Sequence, residues 1–240
     1  MRVLPSMLVA CLVAGAHPVS AAARCEPRDL GFDRAEAGWK HQPMSKLKRD
    51  TAYSIAKEDG HTVLRASAER SASLFASYFK PPAAVPASLS WRWKADALVP
   101  GADNRVKDKE DAPLRVVVAF DGDKALLPAE EKRRFEAARK LTGADLPFAV
   151  LMYVWSAHGP VDAVINSAHT SQVKMIAVAS GSAGLGKWQP VKRDLARDYR
   201  RAFGAEPGAL LGVAVMTDTD NTGAKSVGYY ADIRLECAAP

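Results

Sequence analysis

The stretch Leu89-Ser90-Trp91-Arg92-Trp93-Lys94-Ala95 decides the fold class, because apolar and polar residues alternate along it one by one. A period of two points successive side chains to opposite faces, so this stretch predicts a β-strand with one face in the core. The segments Leu114–Phe120 and Val227–Leu235 show the same alternation. The runs Phe148–Trp155 and Leu210–Met216 are apolar on both faces, which is typical of central strands.

Five weaker segments bring the number of expected short strands to ten. They are Tyr53–Ala56, Thr62–Ala66, Ala72–Phe79, Val173–Ala179 and Trp188–Lys192. Two segments have helical patterns, Ala129–Leu141 and Asp194–Phe203, and neither recurs between strands as a βαβ fold would require. The sequence therefore predicts an all-β fold, a two-sheet antiparallel β-sandwich or jelly roll with one or two short helices.

The beginning of the chain has the pattern of an export signal. A basic residue precedes an apolar stretch, and Ala21-Ala22-Ala23 supplies an Ala-x-Ala cleavage pattern. The apolar stretch is shorter than the roughly 20 residues of a membrane span, so no transmembrane segment is predicted. A lipoprotein cleavage box at Leu8-Val9-Ala10-Cys11 is the alternative. We expect a periplasmic or secreted protein, with residues 1–23 as signal peptide and 24–240 as one β-sandwich domain.

The two cysteines that follow the predicted signal, Cys25 and Cys237, stand near the two ends of the remaining chain. In an oxidising compartment, such a pair predicts a disulfide that joins the terminal strands. A redox or metal site is the alternative. Neither cysteine has a Cys-x-x-Cys partner or a nearby histidine, so we interpret the pair as structural.

The formal net charge is +6, and the basic residues are dispersed along the chain. This mild excess favours an anionic partner, such as an acidic glycan or a lipid headgroup, without requiring one. Motifs of nucleic-acid-binding proteins do not occur in the sequence, so no nucleic-acid partner is expected.

The most distinctive polar string, Thr217-Asp218-Thr219-Asp220-Asn221-Thr222-Gly223, directly follows an apolar run. Asp218, Asp220 and Thr222 stand at alternate positions before the glycine and could supply the oxygen ligands that Ca²⁺ prefers. The twelfth position, Tyr229, cannot close an EF-hand. A tight turn in which the Asp and Asn side chains cap the backbone is the alternative interpretation.

A second acidic group ends at Asp111, just before the Leu114 strand. If the fold brings Asp111 near Asp218 or Asp220, the paired carboxylates could hold Ca²⁺ or, at the right separation, serve glycoside hydrolysis. A solvated loop is the alternative, because basic residues are interleaved with the acidic ones.

Aromatic residues are the natural platforms for sugar rings. Trp91 and Trp93 share a strand face with apolar neighbours, so we assign them to the core. Trp155 ends an apolar strand beside Ser156 and His158, and we expect it at the rim of a cleft. The sequence contains no HExxH, P-loop or Gly-x-Ser-x-Gly motif, and no catalytic residues are predicted.

Several strings, in their order and spacing, resemble an exported bacterial family known as domain of unknown function 3047. They are Leu89–Lys94, Arg115–Phe120, Tyr153-Val154-Trp155, Asp198-Tyr199, Phe203-Gly204 and Thr217–Thr222. The resemblance extends from about Phe32 to Leu235 and implies no known activity or catalytic residues. One departure is Lys109-Glu110-Asp111, where two adjacent aspartates are expected, and this weakens any metal site built there.

The closing part of the chain also resembles the galactose-binding-like jelly rolls of carbohydrate-binding modules. The resemblance rests on Trp188, the helical segment 194–203, the Leu210 strand and the last strand around Tyr229–Ile233. It implies glycan binding on a concave sheet or at loops, often with a structural Ca²⁺. Fold alone does not fix function.

The leading hypothesis is a non-catalytic domain that binds a glycan or another component of the cell envelope. The candidate contacts are Trp155, Asp111, Arg115, Asp218, Asp220 and Asn221. One alternative is a glycan hydrolase or lyase that uses the carboxylates of the Asp111 and Asp218–Asp220 loops. Another is a structural subunit of an envelope assembly.

Overall fold

The computed structural model describes residues 25–45, 47–142 and 145–238. The predicted signal peptide, residues 1–23, and the alternative lipoprotein box lie outside the described residues. No helix among the described residues is long and apolar enough to span a membrane.

Strands dominate the described part of the chain. In chain order they are β1 (Arg28–Asp29), β2 (Lys40–Pro43), β3 (Ala52–Glu58), β4 (His61–Glu69), β5 (Ser73–Ala83), β6 (Ser88–Ala95), β7 (Ala112–Phe120), β8 (Ala149–Ser156), β9 (Val164–Asn166), β10 (Val173–Ser180), β11 (Gln189–Arg193), β12 (Leu210–Asp218) and β13 (Lys225–Glu236). The α-helices are α1 (Ala129–Thr142) and α2 (Leu195–Phe203). Short 3₁₀ turns occur at Ala35–Ala37, Lys107–Lys109 and Lys124–Leu126.

The strands form the predicted two-sheet β-sandwich. One sheet has the order β11-β6-β13-β4-β3, with β1 also paired to β13, and the other has the order β2-β5-β12-β7-β8-β10-β9. All pairs between these strands are antiparallel except β8 with β10. The chain leaves β8, reverses into the outer strand β9, and reverses again to fill the gap as β10, which makes β10 parallel to β8.

Burial along β6 follows the alternation of its sequence. Every second residue of this strand, from Leu89 to Ala95, is buried, and the residues between them are half-buried. The ring of Trp91 lies 5.2 Å from that of Tyr153 in the other sheet, and the ring of Trp93 lies 6.2 Å from that of Trp155. The core therefore centres on aromatic side chains from both sheets.

All ten strands expected from the sequence are present, as are both helices. Asp194 caps α2, since its carboxylate accepts a hydrogen bond from the backbone N–H of Arg197 at 2.9 Å. Gly204 ends this helix in the left-handed conformation, with φ of 71°. The strands that the sequence did not predict, β1, β2 and β9, have two to four residues, too few for a period of two to be visible.

The structure joins Cys25 to Cys237 in the predicted disulfide. This bond lies beside the β1–β13 pair, in which Arg28 is opposite Leu235. The disulfide therefore fastens the first described strand to the last strand.

We expect replacement of both cysteines by serine to lower the free energy of unfolding by about 2–5 kcal/mol, because the bond closes a loop of 212 residues. Urea unfolding of the oxidised parent and the Cys25→Ser/Cys237→Ser variant measures this difference. The parent after reduction serves as control and should match the variant. Equal stability of the oxidised parent and the variant would contradict the prediction.

Candidate functional site

The acidic residues predicted to meet lie at one end of the paired strands β7 and β12, where Asp218 is opposite Ala112. One carboxylate oxygen from each of Asp111, Asp218 and Asp220 lies within 4.8 Å of the other two. We call these three residues the acidic cluster. The structure thus brings together the two loops that the sequence singled out.

Asp111 fastens the turn that follows β12. Its Oδ2 accepts hydrogen bonds from the backbone N–H and the hydroxyl of Thr222, both at 2.7 Å, and its Oδ1 accepts the backbone N–H of Asn221 at 3.2 Å. The amide of Asn221 in turn donates to the carbonyl of Lys107 at 3.1 Å. These bonds tie the turn to the loop before β7.

Asp218 forms a buried ion pair with Arg115. The Nε and Nη2 atoms of Arg115 lie 2.8 Å and 3.1 Å from the two carboxylate oxygens of Asp218, and both residues are at most 4% exposed. Nη2 also donates to the carbonyl of Glu110, and Nη1 lies 3.3 Å from the sulfur of Met175. Burial raises the pKa of Asp218 to about 6, although the Arg115 guanidinium opposes this rise.

The third carboxylate of the cluster, Asp220, is paired with Lys48, whose Nζ lies 2.5 Å from its Oδ2. Carboxylate oxygens at these separations are the ligands that Ca²⁺ prefers. However, the cations Arg115 and Lys48 already neutralise two of the three carboxylates. Calcium binding by Asp218, Asp220 and Thr222 therefore stays a prediction. In the structure, the contacts of the acidic cluster hold the two loops together.

The expected position of Trp155 at the rim of a cleft is wrong. Trp155 is fully buried, and its indole N–H donates to the carbonyl of Gly181 at 2.9 Å. The strand continues to Ser156, which is opposite Ser180 of β10, so Trp155 lies inside the sandwich on the same face as Tyr153. Its ring is not available for stacking on a sugar.

The other predicted contacts divide by exposure. Asp111, Arg115 and Asp218 are buried, whereas Asp220, Asn221 and Thr222 are half-buried at the surface. Neither of the two cavities described below is lined by any of these residues. The fold therefore gives the buried three a positioning role and leaves only the turn residues accessible.

An open cavity of about 340 Å³ lies on the six-stranded sheet, where β11, β6 and β13 run side by side. It is lined by Ser90, Trp91, Arg92, Pro190, Val191, Lys192, Asp232 and Arg234. The polar positions of β6 that alternate with the buried tryptophans, such as Arg92 and Lys94, lie on the sheet face away from the core. The alternation of β6 thus directs one set of side chains into the core and the other set toward the sheet face that carries this cavity.

Two half-buried aromatic residues, Trp188 and Tyr229, contact the β6 residues Arg92 and Lys94, of which Arg92 lines this cavity. The guanidinium carbon of Arg92 lies 5.2 Å from the centre of the Trp188 ring. The Nζ atom of Lys94 lies 5.6 Å from the Trp188 ring and 4.5 Å from the Tyr229 ring. We call the cavity together with Trp188, Lys94 and Tyr229 the sheet groove.

Asp232 occupies a β-bulge in β13, where the register with β6 shifts between Ala231 and Arg234. Its φ of 54° lies in the left-handed region, which costs a residue other than glycine about 1–3 kcal/mol. Its carboxylate forms an ion pair with Arg92. Bulges of this kind re-aim side chains and are frequent next to functional sites.

A second cavity, of about 220 Å³, lies against the first. Asp232 and Arg234 line both cavities. The second cavity is otherwise lined by Asp29, Gly31, Asp33, Arg34, Lys57, Gly60, His61 and Thr62. These residues come from the segment around β1 and from the hairpin formed by the end of β3, the turn and the start of β4.

From the sequence alone, this surface had no assigned role. The polar alternation of β6 and the aromatic Trp188 were both visible in the sequence. What the sequence does not show is that β11 pairs with β6, which brings Trp188 beside Arg92, and that a bulge in β13 brings Asp232 to the same place.

The model of a protein family described as "Protein of unknown function (DUF3047)" matches residues 37–234. The chain belongs to this family. The match confirms the resemblance inferred from the sequence, and the family's description assigns no activity. No curated protein matches the chain.

Solved structures with a similar fold include the family 11 carbohydrate-binding module of the cellulosomal cellulase Lic26A-Cel5E of Clostridium thermocellum. It shares 8% identity, 90% coverage of this chain and 97% of that chain, with a TM-score of 0.43. The same module in complex with a β-1,3-1,4-mixed-linked tetrasaccharide gives 8% identity, 90% and 98% coverage, and a TM-score of 0.42. A third similar structure is the xyloglucanase domain of NopAA, a type three effector from Sinorhizobium fredii, in complex with cellobiose. Its sequence is 9% identical, the alignment covers 89% of this chain and 98% of that chain, and the TM-score is 0.40. Likenesses at this level assign no ligand to this chain.

We expect Arg115→Met to lower the free energy of unfolding by about 3–5 kcal/mol at pH 8, because it leaves the Asp218 carboxylate buried without its partner. The loss should be smaller at pH 5. Without Arg115, the pKa of Asp218 in the folded state rises further above its unfolded value of about 3.9. A carboxyl group with a raised folded pKa favours the folded state at low pH, and this stability is lost as the pH rises through the folded pKa. Urea unfolding at both pH values measures the effect.

The control is Arg115→Met/Asp218→Asn, in which neither buried charge remains. We expect this double variant to be more stable than Arg115→Met at pH 8. Its free energy of unfolding, relative to that of the parent, should change little between the two pH values. An Arg115→Met variant that is as stable as the parent at pH 8 would contradict the account of the buried pair.

Proposed function

We propose that this protein is a non-catalytic glycan-binding domain, and that the glycan binds in the sheet groove. The observation that supports this proposal is the pair of aromatic rings, Trp188 and Tyr229, on either side of the Lys94 ammonium and next to an open cavity lined by both polar and apolar residues. A flat ring offers an apolar surface to the apolar face of a pyranose, while neighbouring polar groups bond its hydroxyls. The volume of the cavity is within the roughly 300–1,000 Å³ of small-molecule sites.

The charged side chains of the groove have ion-pair partners. Arg92 is paired with Asp232, Lys94 lies 2.6 Å from Glu58, and Lys192 lies 2.5 Å from Glu236. Paired in this way, they offer hydrogen-bond donors and acceptors side by side with little net charge. Such a surface suits the hydroxyls of a neutral glycan better than an anionic polymer, in spite of the basic composition of the whole chain.

The geometry gives less support to the hydrolase or lyase alternative. The carboxylates of Asp111 and Asp218 are buried, and Asp218 is engaged by Arg115. A glycosidase needs two carboxyl groups that reach the scissile bond from opposite sides. We therefore propose binding without catalysis. On the pattern of the first 23 residues, we further propose a periplasmic or secreted protein whose ligand is a glycan of the envelope.

Trp188→Ala and Tyr229→Ala should each weaken binding of the glycan at least about tenfold, which corresponds to ~1.4 kcal/mol, because each removes a stacking surface. A glycan array identifies the ligand, and isothermal titration calorimetry then gives the affinity of the parent and the variants. Both side chains are half-buried at the surface, so melting temperatures should stay close to that of the parent.

Tyr78→Ala is the matched control. Tyr78 is an aromatic residue of β5 in the other sheet, 52% exposed, and its removal should leave the affinity unchanged. Binding that is lost in Tyr78→Ala but kept in Trp188→Ala would overturn the assignment of the groove. An array of neutral and acidic glycans without any ligand would overturn the proposed function.

A further inference from the structure

We infer that the second cavity is a further subsite of the sheet groove, so that the ligand is an oligosaccharide lying across the strands rather than a single sugar. This inference rests on the proposed function. It follows from the position of the two cavities, from the chemistry of the second one and from the residue that separates them.

The two cavities lie on opposite sides of β13. The first extends over β6 and β11, which follow β13 on one side of the sheet, and the second reaches β1 and the start of β4 on the other side. Neighbouring strands are about 4.8 Å apart, so the cavities together span several strand spacings. A ligand that contacts both must therefore be longer than one sugar ring.

The second cavity has the polar side chains that bind hydroxyls, and several are held in place. The Oδ2 of Asp29 pairs with Nε of Arg34 at 3.1 Å, and Nζ of Lys57 donates to the hydroxyl of Thr62 at 2.6 Å. The side chains of Asp33 and His61 are exposed and have no hydrogen-bond or ion-pair partner among the described residues. They can therefore accept from and donate to a ligand without breaking a contact of the protein.

Asp232 and Arg234 form the wall that the cavities share. Backbone strain like that of Asp232 persists only where its surroundings hold it, and it is frequent at ligand sites. Here the strained residue places its carboxylate between the two cavities, where it pairs with Arg92 of the first cavity. The other shared residue, Arg234, turns its Nε toward the Oδ2 of Asp29 in the second cavity, at 3.7 Å. This continuity makes the two cavities one binding surface.

The chemistry of the two subsites differs. The first has aromatic rings and would supply most of the affinity for any sugar that enters it. The second is lined by glycines and polar side chains, without an aromatic platform such as Trp188, and would add affinity only for a chain that extends into it. Variants of the second cavity are therefore expected to change how affinity depends on chain length, and variants of the first to change affinity for every length.

The experiment is a calorimetric titration of the glycan found by array screening, used as mono-, di-, tri- and tetrasaccharide. For the parent we expect at least a tenfold gain in affinity between the disaccharide and the tetrasaccharide. Asp33→Ala/His61→Ala should bind the disaccharide like the parent and lose most of that gain. His41→Ala/Asp50→Ala is the matched control, since it removes an exposed His–Asp pair that lines neither cavity and should behave like the parent.

Two results overturn the inference while the proposed function stands. One is an affinity that is independent of chain length. The other is an Asp33→Ala/His61→Ala variant that keeps the full gain in affinity from disaccharide to tetrasaccharide, although Trp188→Ala abolishes binding. Failure of every length to bind, or unchanged binding in Trp188→Ala, would instead overturn the proposed function and with it this inference.

Discussion

The packing of two aromatic pairs between the sheets, Trp91 on Tyr153 and Trp93 on Trp155, is the interaction on which the rest of this structure depends. All four side chains are buried, and large aromatic side chains dominate the energetics of such cores. Their positions fix which face of β6 is turned toward the core. Because alternate residues of a strand point to opposite faces, the same constraint fixes Arg92 and Lys94 on the outer face, where they form part of the sheet groove.

In the opposite sheet, charged residues of the acidic cluster and Arg115 hold the ends of two strands together. Arg115 and Asp218 join neighbouring strands across the start of β7 and the end of β12, and Asp111 holds the turn that follows. Burying these charges is expensive unless each finds its partner, so the network specifies how the two loops meet. This is the physical reason why the residues with the most distinctive sequence pattern have a positioning role in the structure.

The period of two was sufficient to predict β6, because one face of this strand lies in the core. The central strands β8 and β12 were predictable from their continuous apolar runs. The terminal cysteines and the cap at Asp194 were predictable for similar reasons, since each is a local chemical signal. Trp155 was placed wrongly because the end of an apolar run does not show whether the strand pairs beyond it. The sheet groove escaped prediction because it needs the pairing of β11 with β6 and the bulge at Asp232, which are long-range features.

The central claim is that the ligand binds on the six-stranded sheet and leaves the acidic cluster untouched. A ¹H–¹⁵N correlation spectrum of the protein during titration with the glycan tests this most directly, because it reports both places at once. We predict that the indole N–H signal of Trp188 and the amides around Asp232 shift, while the indole signal of Trp155 and the amides of Asn221 and Thr222 do not. Shifts confined to Asn221 and Thr222 would contradict the account and return the binding site to the turn after β12.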